Sequence, residues 1–119
     1  MSSYRWNARK ITKITTTYTI LTDDDHISAT IGGSVTITLP SIKALAKAGK
    51  FPKAYYIISE SASSTHDLTI APGTDEETGA PDTINGTTSL VLGDGGDWVI
   101  IQCEASGNWI VVDTNDVPA

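Results

Sequence analysis

Apolar residues in this chain come in short runs, and nearly every run stops within a few residues at Gly, Pro, Asp or Asn. ITTTYTIL (14–21), ISATIGGSVTITL (27–39), KAYYIIS (53–59), LTIAP (68–72), DTING (82–86), TSLVLG (88–93), DWVIIQC (97–103) and NWIVV (108–112) are rich in β-branched and aromatic residues. Such residues fit a pleated, half-buried surface, and Gly, Pro, Asn and Asp between them are turn chemistry. Val35, Ile37 and Leu39 alternate with Ser34, Thr36 and Thr38, so one face of that run is buried and Pro40 ends it. Gly32-Gly33 is a hairpin signal, and Asn85-Gly86 marks a turn between two strands. About eight or nine short strands at this spacing argue for an all-β fold, a sandwich or jelly-roll-like barrel.

One segment reads as helix. In SIKALAKAG, Ser41 caps, Gly49 closes, and Ile42, Leu45 and Ala46 form a narrow apolar stripe away from Lys43 and Lys47. Two turns persist only when packed.

The stretch GGDWVIIQCEASGNWIVVD (95–113) reads as a hairpin. A two-residue loop at Ser106-Gly107 or Gly107-Asn108 places Val99, Ile101, Cys103, Ile110 and Val112 on the core face. Trp98, Ile100, Trp109 and Val111 then share the other face with Gln102, Glu104 and Asp113; its apolar part is too large for water and calls for a second cover, made by another sheet, the N-terminal segment or another subunit. Its four apolar residues are the expected subunit interface.

Charge is split along the chain. Residues 1–53 hold eight basic and three acidic residues, a balance of +5, and residues 54–119 hold eleven acidic and no basic residues. An acidic C-terminal two-thirds argues against nucleic acid, because phosphate binding needs Lys and Arg. Residues 1–14 read as an arm that docks on a partner through Tyr4, Arg5, Trp6, Arg9, Lys10 and Lys13. Residues 15–113 read as a single β-domain and 114–119 as a polar tail. The arm lacks the apolar core of a signal peptide, and no run approaches the roughly 20 apolar residues of a membrane helix. One cysteine, Cys103, permits no intrachain disulfide and reads as a small buried apolar residue.

No constellation points to catalysis or to a cofactor. Asp23, Asp24 and Asp25 alternate faces on an extended chain and lack calcium-loop spacing, so they read as turn chemistry. His26 and His66 have no partner at zinc-ligand spacing. No G-x-S-x-G elbow marks a nucleophile, and GDGGD lacks the lysine of a phosphate loop. Asp75-Glu76-Glu77 reads as a solvated loop tip, and the row Lys43, Lys47, Lys50, Lys53 as a solvated face or a contact for an acidic surface. Trp6, Trp98 and Trp109 read as packing residues, with stacking on sugar rings as the other use of such aromatics.

The order VTITLPS, YYIISESAS, LTIAP, DTINGTTSL, DWVIIQCEASGNWIVVD resembles a small β-module that recurs in tailed-bacteriophage virion proteins, over roughly residues 18–113. The resemblance implies a non-enzymatic, commonly trimeric module of tail fibres, head fibres or capsid decoration proteins, carried on the virion surface. The helix candidate departs from the simple pattern as an insertion. A short chain with a basic aromatic arm fits a decoration or head-fibre protein that grips the major capsid protein or another virion protein. A tail-fibre or baseplate component, or a module binding host glycans, is the alternative.

Overall fold

Alternation of apolar and polar residues dictates strands, and the computed structural model, which describes residues 11–60, 66–104 and 107–115, pairs them into two sheets. The strands are β1 (Ile11–Ile14), β2 (Tyr18–Thr19), β3 (His26–Ala29), β4 (Val35–Thr38), β5 (Ala54–Ser59), β6 (Leu68–Ala71), β7 (Thr83–Ile84), β8 (Leu90–Leu92), β9 (Asp97–Cys103) and β10 (Asn108–Thr114). The larger sheet has the order β1-β3-β5-β9-β10-β7 and the smaller β2-β4-β6-β8.

Strands β1 to β6 alternate between the two sheets, and within each sheet they pair parallel. The chain therefore winds three times between the sheets. Strands β8 and β9 then pair antiparallel to β6 and β5 and close the winding on one side. The mostly-β, two-sheet expectation is met at this coarse level. A jelly roll, however, is built from antiparallel Greek keys, and the parallel winding of β1 to β6 is a different path.

Gly32-Gly33 does not make the expected hairpin. β3 and β4 lie in different sheets, and neither glycine takes the positive φ that a tight two-residue hairpin demands. Asn85-Gly86 does turn tightly, with φ of 49° and 77°. The turn is pinned to β10: Val111 N donates to Asn85 Oδ1, and Gly86 N to Asn108 Oδ1.

The single helix in the described residues, α1 (Ile42–Lys47), starts where sequence places it, with Ser41 Oγ accepting from Ala44 N at 3.0 Å. It buries Ile42 and Leu45. Gly73 lies so close to the chain entering α1 that a Cβ there would stand 2.5 Å from Ser41 N and 2.6 Å from Leu39 O. No side chain fits that approach.

One hydrophobic core draws on both sheets: Ile27, Tyr55, Ile57, Val99, Ile101 and Trp109 from the larger, Ile37, Leu68, Ile70 and Leu92 from the smaller. Asp24 is buried at the first winding and ties it together. Its carboxylate accepts from Thr12 Oγ1 at 3.0 Å, from the Tyr18 hydroxyl at 2.6 Å and from Leu21 N at 2.9 Å. Burial first, then the bond to Asp24, pushes the Tyr18 hydroxyl up to about 12. Of the expected arm, Ile11–Ile14 is an edge strand of the larger sheet, paired to β3, because Ile14 can reach the core there.

Candidate functional site

The face of β10 is set by one residue of loop length. Glu104 N donates to Asn108 O, and Trp109 pairs with Cys103, so three residues separate the paired positions. An odd loop reverses the parity that a two-residue loop would give. Trp109 therefore points inward, fully buried, and Ile110 and Val112 are exposed, at 37% and 39%. This corrects the expected core face at Ile110 and Val112 and the expected interface at Trp109, while Val99, Ile101 and Cys103 are buried as expected. Trp109 is core and cannot meet a second subunit. Val111 packs against the core. Ile100 and Trp98 do lie on the outer face, half-buried.

The Trp109 ring sits 5.8 Å from that of Tyr55, and its Nε1 is buried with no hydrogen-bond partner among the described residues. The bulge between Val111 and Asp113 shifts the register of β10. Beyond it the strand is held by side chains: Thr114 Oγ1 donates to Trp98 O, and Trp98 N donates to Asn115 Oδ1.

Across the larger sheet, cross-strand register lines up an apolar outer face. His26 pairs with Tyr56 and Tyr56 with Ile100; Ile58 pairs with Trp98; Ile110 pairs with Gln102. The His26 and Tyr56 rings stack with centroids 4.5 Å apart, and Tyr56 meets Trp98 edge-on at 5.8 Å. His26 Nε2 is buried with no hydrogen-bond partner among the described residues. Burial pulls the His26 imidazole below its ordinary value against the opposing charge of Glu60. Sequence reasoning missed Tyr56, Ile58, His26 and Ile110. The signal was present in Tyr55-Tyr56-Ile57-Ile58, where consecutive apolar residues put an apolar side chain on both faces of one strand.

Charged residues find partners inside the chain. Glu77 bridges Lys43 at 2.7 Å and Lys47 at 2.8 Å, and Asp75 lies 3.7 Å from Lys43. The acidic loop thus lies along α1, and the acidic surface that meets these lysines is this chain's own. Hydrogen bonds from Lys43, then Lys47, hold the Glu77 carboxyl down to about 2. Lys53 pairs with Asp25 at 2.9 Å and stands over the Tyr55 ring. The three consecutive aspartates separate at a turn, where Asp24 N donates to Leu21 O: Asp23 exposed, Asp24 buried, Asp25 paired. Among the described residues no three of His, Cys, Asp and Glu converge as a metal site, and no helix is long and apolar enough to cross a membrane. Cys103 is buried; Lys53 N donates to its Sγ, and burial pushes the thiol up.

Of the expected arm residues, Lys13 lies exposed on β1. Tyr4, Arg5, Trp6, Arg9 and Lys10 lie outside the described residues. An open cleft of about 410 Å³ lies beside α1, lined by Ile42, Lys43, Ala46, Phe51, Asp75, Asp82 and Gly107.

What fold and surface define together is a two-sheet β-protein with one polar and one apolar outer face. No family model, no curated protein and no solved structure matches the chain.

Proposed function

We propose that this chain is a non-enzymatic structural protein of a tailed-bacteriophage virion, a trimeric capsid decoration or head-fibre protein. It acts by assembling, with no cofactor, and its place is the virion surface. The observation that supports an assembly role is the outer face of the larger sheet, where Tyr56, Ile58, Trp98, Ile100 and Ile110 line up across three strands. Apolar residues gathered on an outer face, here interrupted by Gln102 opposite Ile110 and Asp113 opposite Ile100, mark an interaction surface. The virion setting rests on the ordered sequence motifs. The arm, through Tyr4, Arg5, Trp6, Arg9, Lys10 and Lys13, grips the major capsid protein or another virion protein.

Light scattering coupled to size exclusion tests the assembly role. A mass of three chains supports it, and a monomer at high concentration counts against it. Deleting residues 1–10, which stops short of β1, is expected to abolish particle binding and to keep the β fold; retained binding removes the arm from the reading.

The edge-on pair of Tyr56 and Trp98 favours a second reading, a module that stacks aromatic rings on host glycans. A glycan array with Trp98→Ala as control separates the two. A tail-fibre or baseplate component would share the assembly chemistry and differ in its place on the particle.

A further inference from the structure

The cleft beside α1 has an unusual wall. Ile42, Ala46 and Phe51 make it apolar, and Phe51 is 37% exposed. Asp82 stands beside them, its Oδ2 accepting from Ile42 N at 2.9 Å. Asp75 has Lys43 nearby, but no Lys or Arg nitrogen lies within 4.0 Å of Asp82 among the described residues. Burial pushes the Asp82 carboxyl up, and the charge of Asp75 adds to the shift. Its ionised form is thus short of a cation. A half-buried carboxylate beside an aliphatic wall and an open aromatic ring fits a guanidinium on an alkyl stem. The carboxylate takes the N–H fork, and the ring takes the flat cationic face.

The chain carries this chemistry itself. Its only two arginines, Arg5 and Arg9, flank Trp6 in the arm. Residues 1–10 hold three positive charges, Arg5, Arg9 and Lys10, and of the four carboxylates in residues 73–82 Asp75 and Glu77 already pair with Lys43 and Lys47, which leaves Glu76 and Asp82. We propose that the cleft binds the arm of a second copy of this chain, with Arg5 against Asp82 and the Trp6 ring against Phe51 and Ile42.

Reach favours a second copy over the same one. The arm leaves from Ile11 on β1, an edge of the larger sheet, and β3, β5 and β9 lie between it and β10, which Gly107 at the cleft precedes. Four strand spacings make about 19 Å; Ile11 lies in the row of His26, Tyr56, Ile100 and Asp113, and Gly107 is six residues back along the chain from Asp113, roughly 17–20 Å along the strand direction. Six residues from Ile11 back to Arg5 span at most about 20 Å when fully extended. The two offsets combine to about 26 Å along the sheet, beyond the reach of the chain's own arm, whereas a neighbour's arm has no such limit. The inference rests on the reading of the arm as a binding segment and names its partner. It stands whether or not the apolar sheet face is also an interface.

The test is cross-linking in the full-length protein with a benzoylphenylalanine photoprobe at position 7, which leaves Arg5 and Trp6 in place. Isotopically heavy and light chains are mixed before irradiation. The expected result is heavy-to-light cross-links into peptides spanning 42–53 or 73–82. Their yield should fall by at least about tenfold in Asp82→Asn, which keeps an oxygen for Ile42 N but removes the charge. It should also fall with added salt and be unchanged in Asp94→Asn. Cross-links confined within one chain, cross-links directed elsewhere, no cross-links, or an unaffected Asp82→Asn would each overturn the proposal. Loss of oligomer mass in Ile100→Asp reads the sheet face separately, so failure of one reading is distinguishable from failure of the other.

Discussion

The two sheets present opposite characters to the outside. The smaller sheet turns Thr19, Thr36, Thr38, Thr69 and Ala71 outward, with Val91 the single large apolar side chain among them. The larger sheet turns out His26, Tyr56, Ile58, Trp98, Ile100 and Ile110, with Lys13, Gln102 and Asp113 as the polar residues around them. Both sheets use β-formers on both faces, so local propensity is satisfied equally. Solvation is not. Threonine keeps the β-branched shape and adds a hydroxyl that water can bond; isoleucine offers water nothing, and tryptophan a single N–H on a large apolar ring. The smaller sheet is finished by solvent, and the larger needs another surface over it. An interface can thus be recognised by which of two equivalent faces was left without threonine.

Several measurements break or sharpen this contrast. The largest effect belongs beneath the larger sheet. Trp109→Ala is expected to cost about 3–5 kcal/mol in urea unfolding, as a large buried aromatic removed from a packed core does. A loss under about 1 kcal/mol would place Trp109 outside. Asp24→Asn comes next. It keeps the shape but weakens three bonds to a buried carboxylate, with an expected loss of about 1.5–3 kcal/mol by the same measurement.

The outer faces should then differ in kind. Ile100→Asp on the larger sheet is expected to raise the oligomer dissociation constant by at least about tenfold while the chain still melts cooperatively. Outright unfolding would mean that the face is covered within one chain. Thr36→Asp on the smaller sheet is expected to change stability by no more than about 0.5 kcal/mol and leave the mass unchanged. An equal response from the two substitutions would erase the contrast.

The smallest effect is electrostatic and lies outside both faces. The folded-state pKa of Glu77 is lowered, so its ion pairs contribute above the ordinary 4.5 and fade as pH falls through about 2. Carbon chemical shifts of the Glu77 carboxyl should titrate near 2; a midpoint near 4.5 would mean that the loop does not lie along α1. The Lys43 ammonium is raised above its ordinary value chiefly by the hydrogen bond to Glu77, so the same contact is lost only as pH rises past that raised value.

Much of the local structure was legible. Ser41 announced α1, Pro40 and Pro72 followed strand ends, and Asn85-Gly86 turned with both φ values positive. Cys103 read as buried and is. Gly32-Gly33 misled because a glycine pair permits a hairpin without requiring one; the next strand found a better apolar partner in the other sheet. Trp109 was misplaced because a single residue of loop length inverts a strand, and Glu104 to Asn108 allows either count. The outer face was seen in Trp98 and Ile100 and overlooked in Tyr56 and Ile58, where the same doubled pattern lay in plain view. The ion pairs of Lys43 and Lys47 were beyond sequence, since Glu77 is distant in the chain and adjacent only after folding.

By itself the sequence determined where the chain is extended, where it turns and which residues of one strand share a face. These follow from neighbours within a few positions, through β-branching, capping and the two-residue period of a strand. Only the tertiary structure decided which of the two faces is inside, which sheet each strand joins and whether it pairs parallel or antiparallel. Those depend on loop parity and on distant apolar partners competing for the same core, and alternation alone is blind to both.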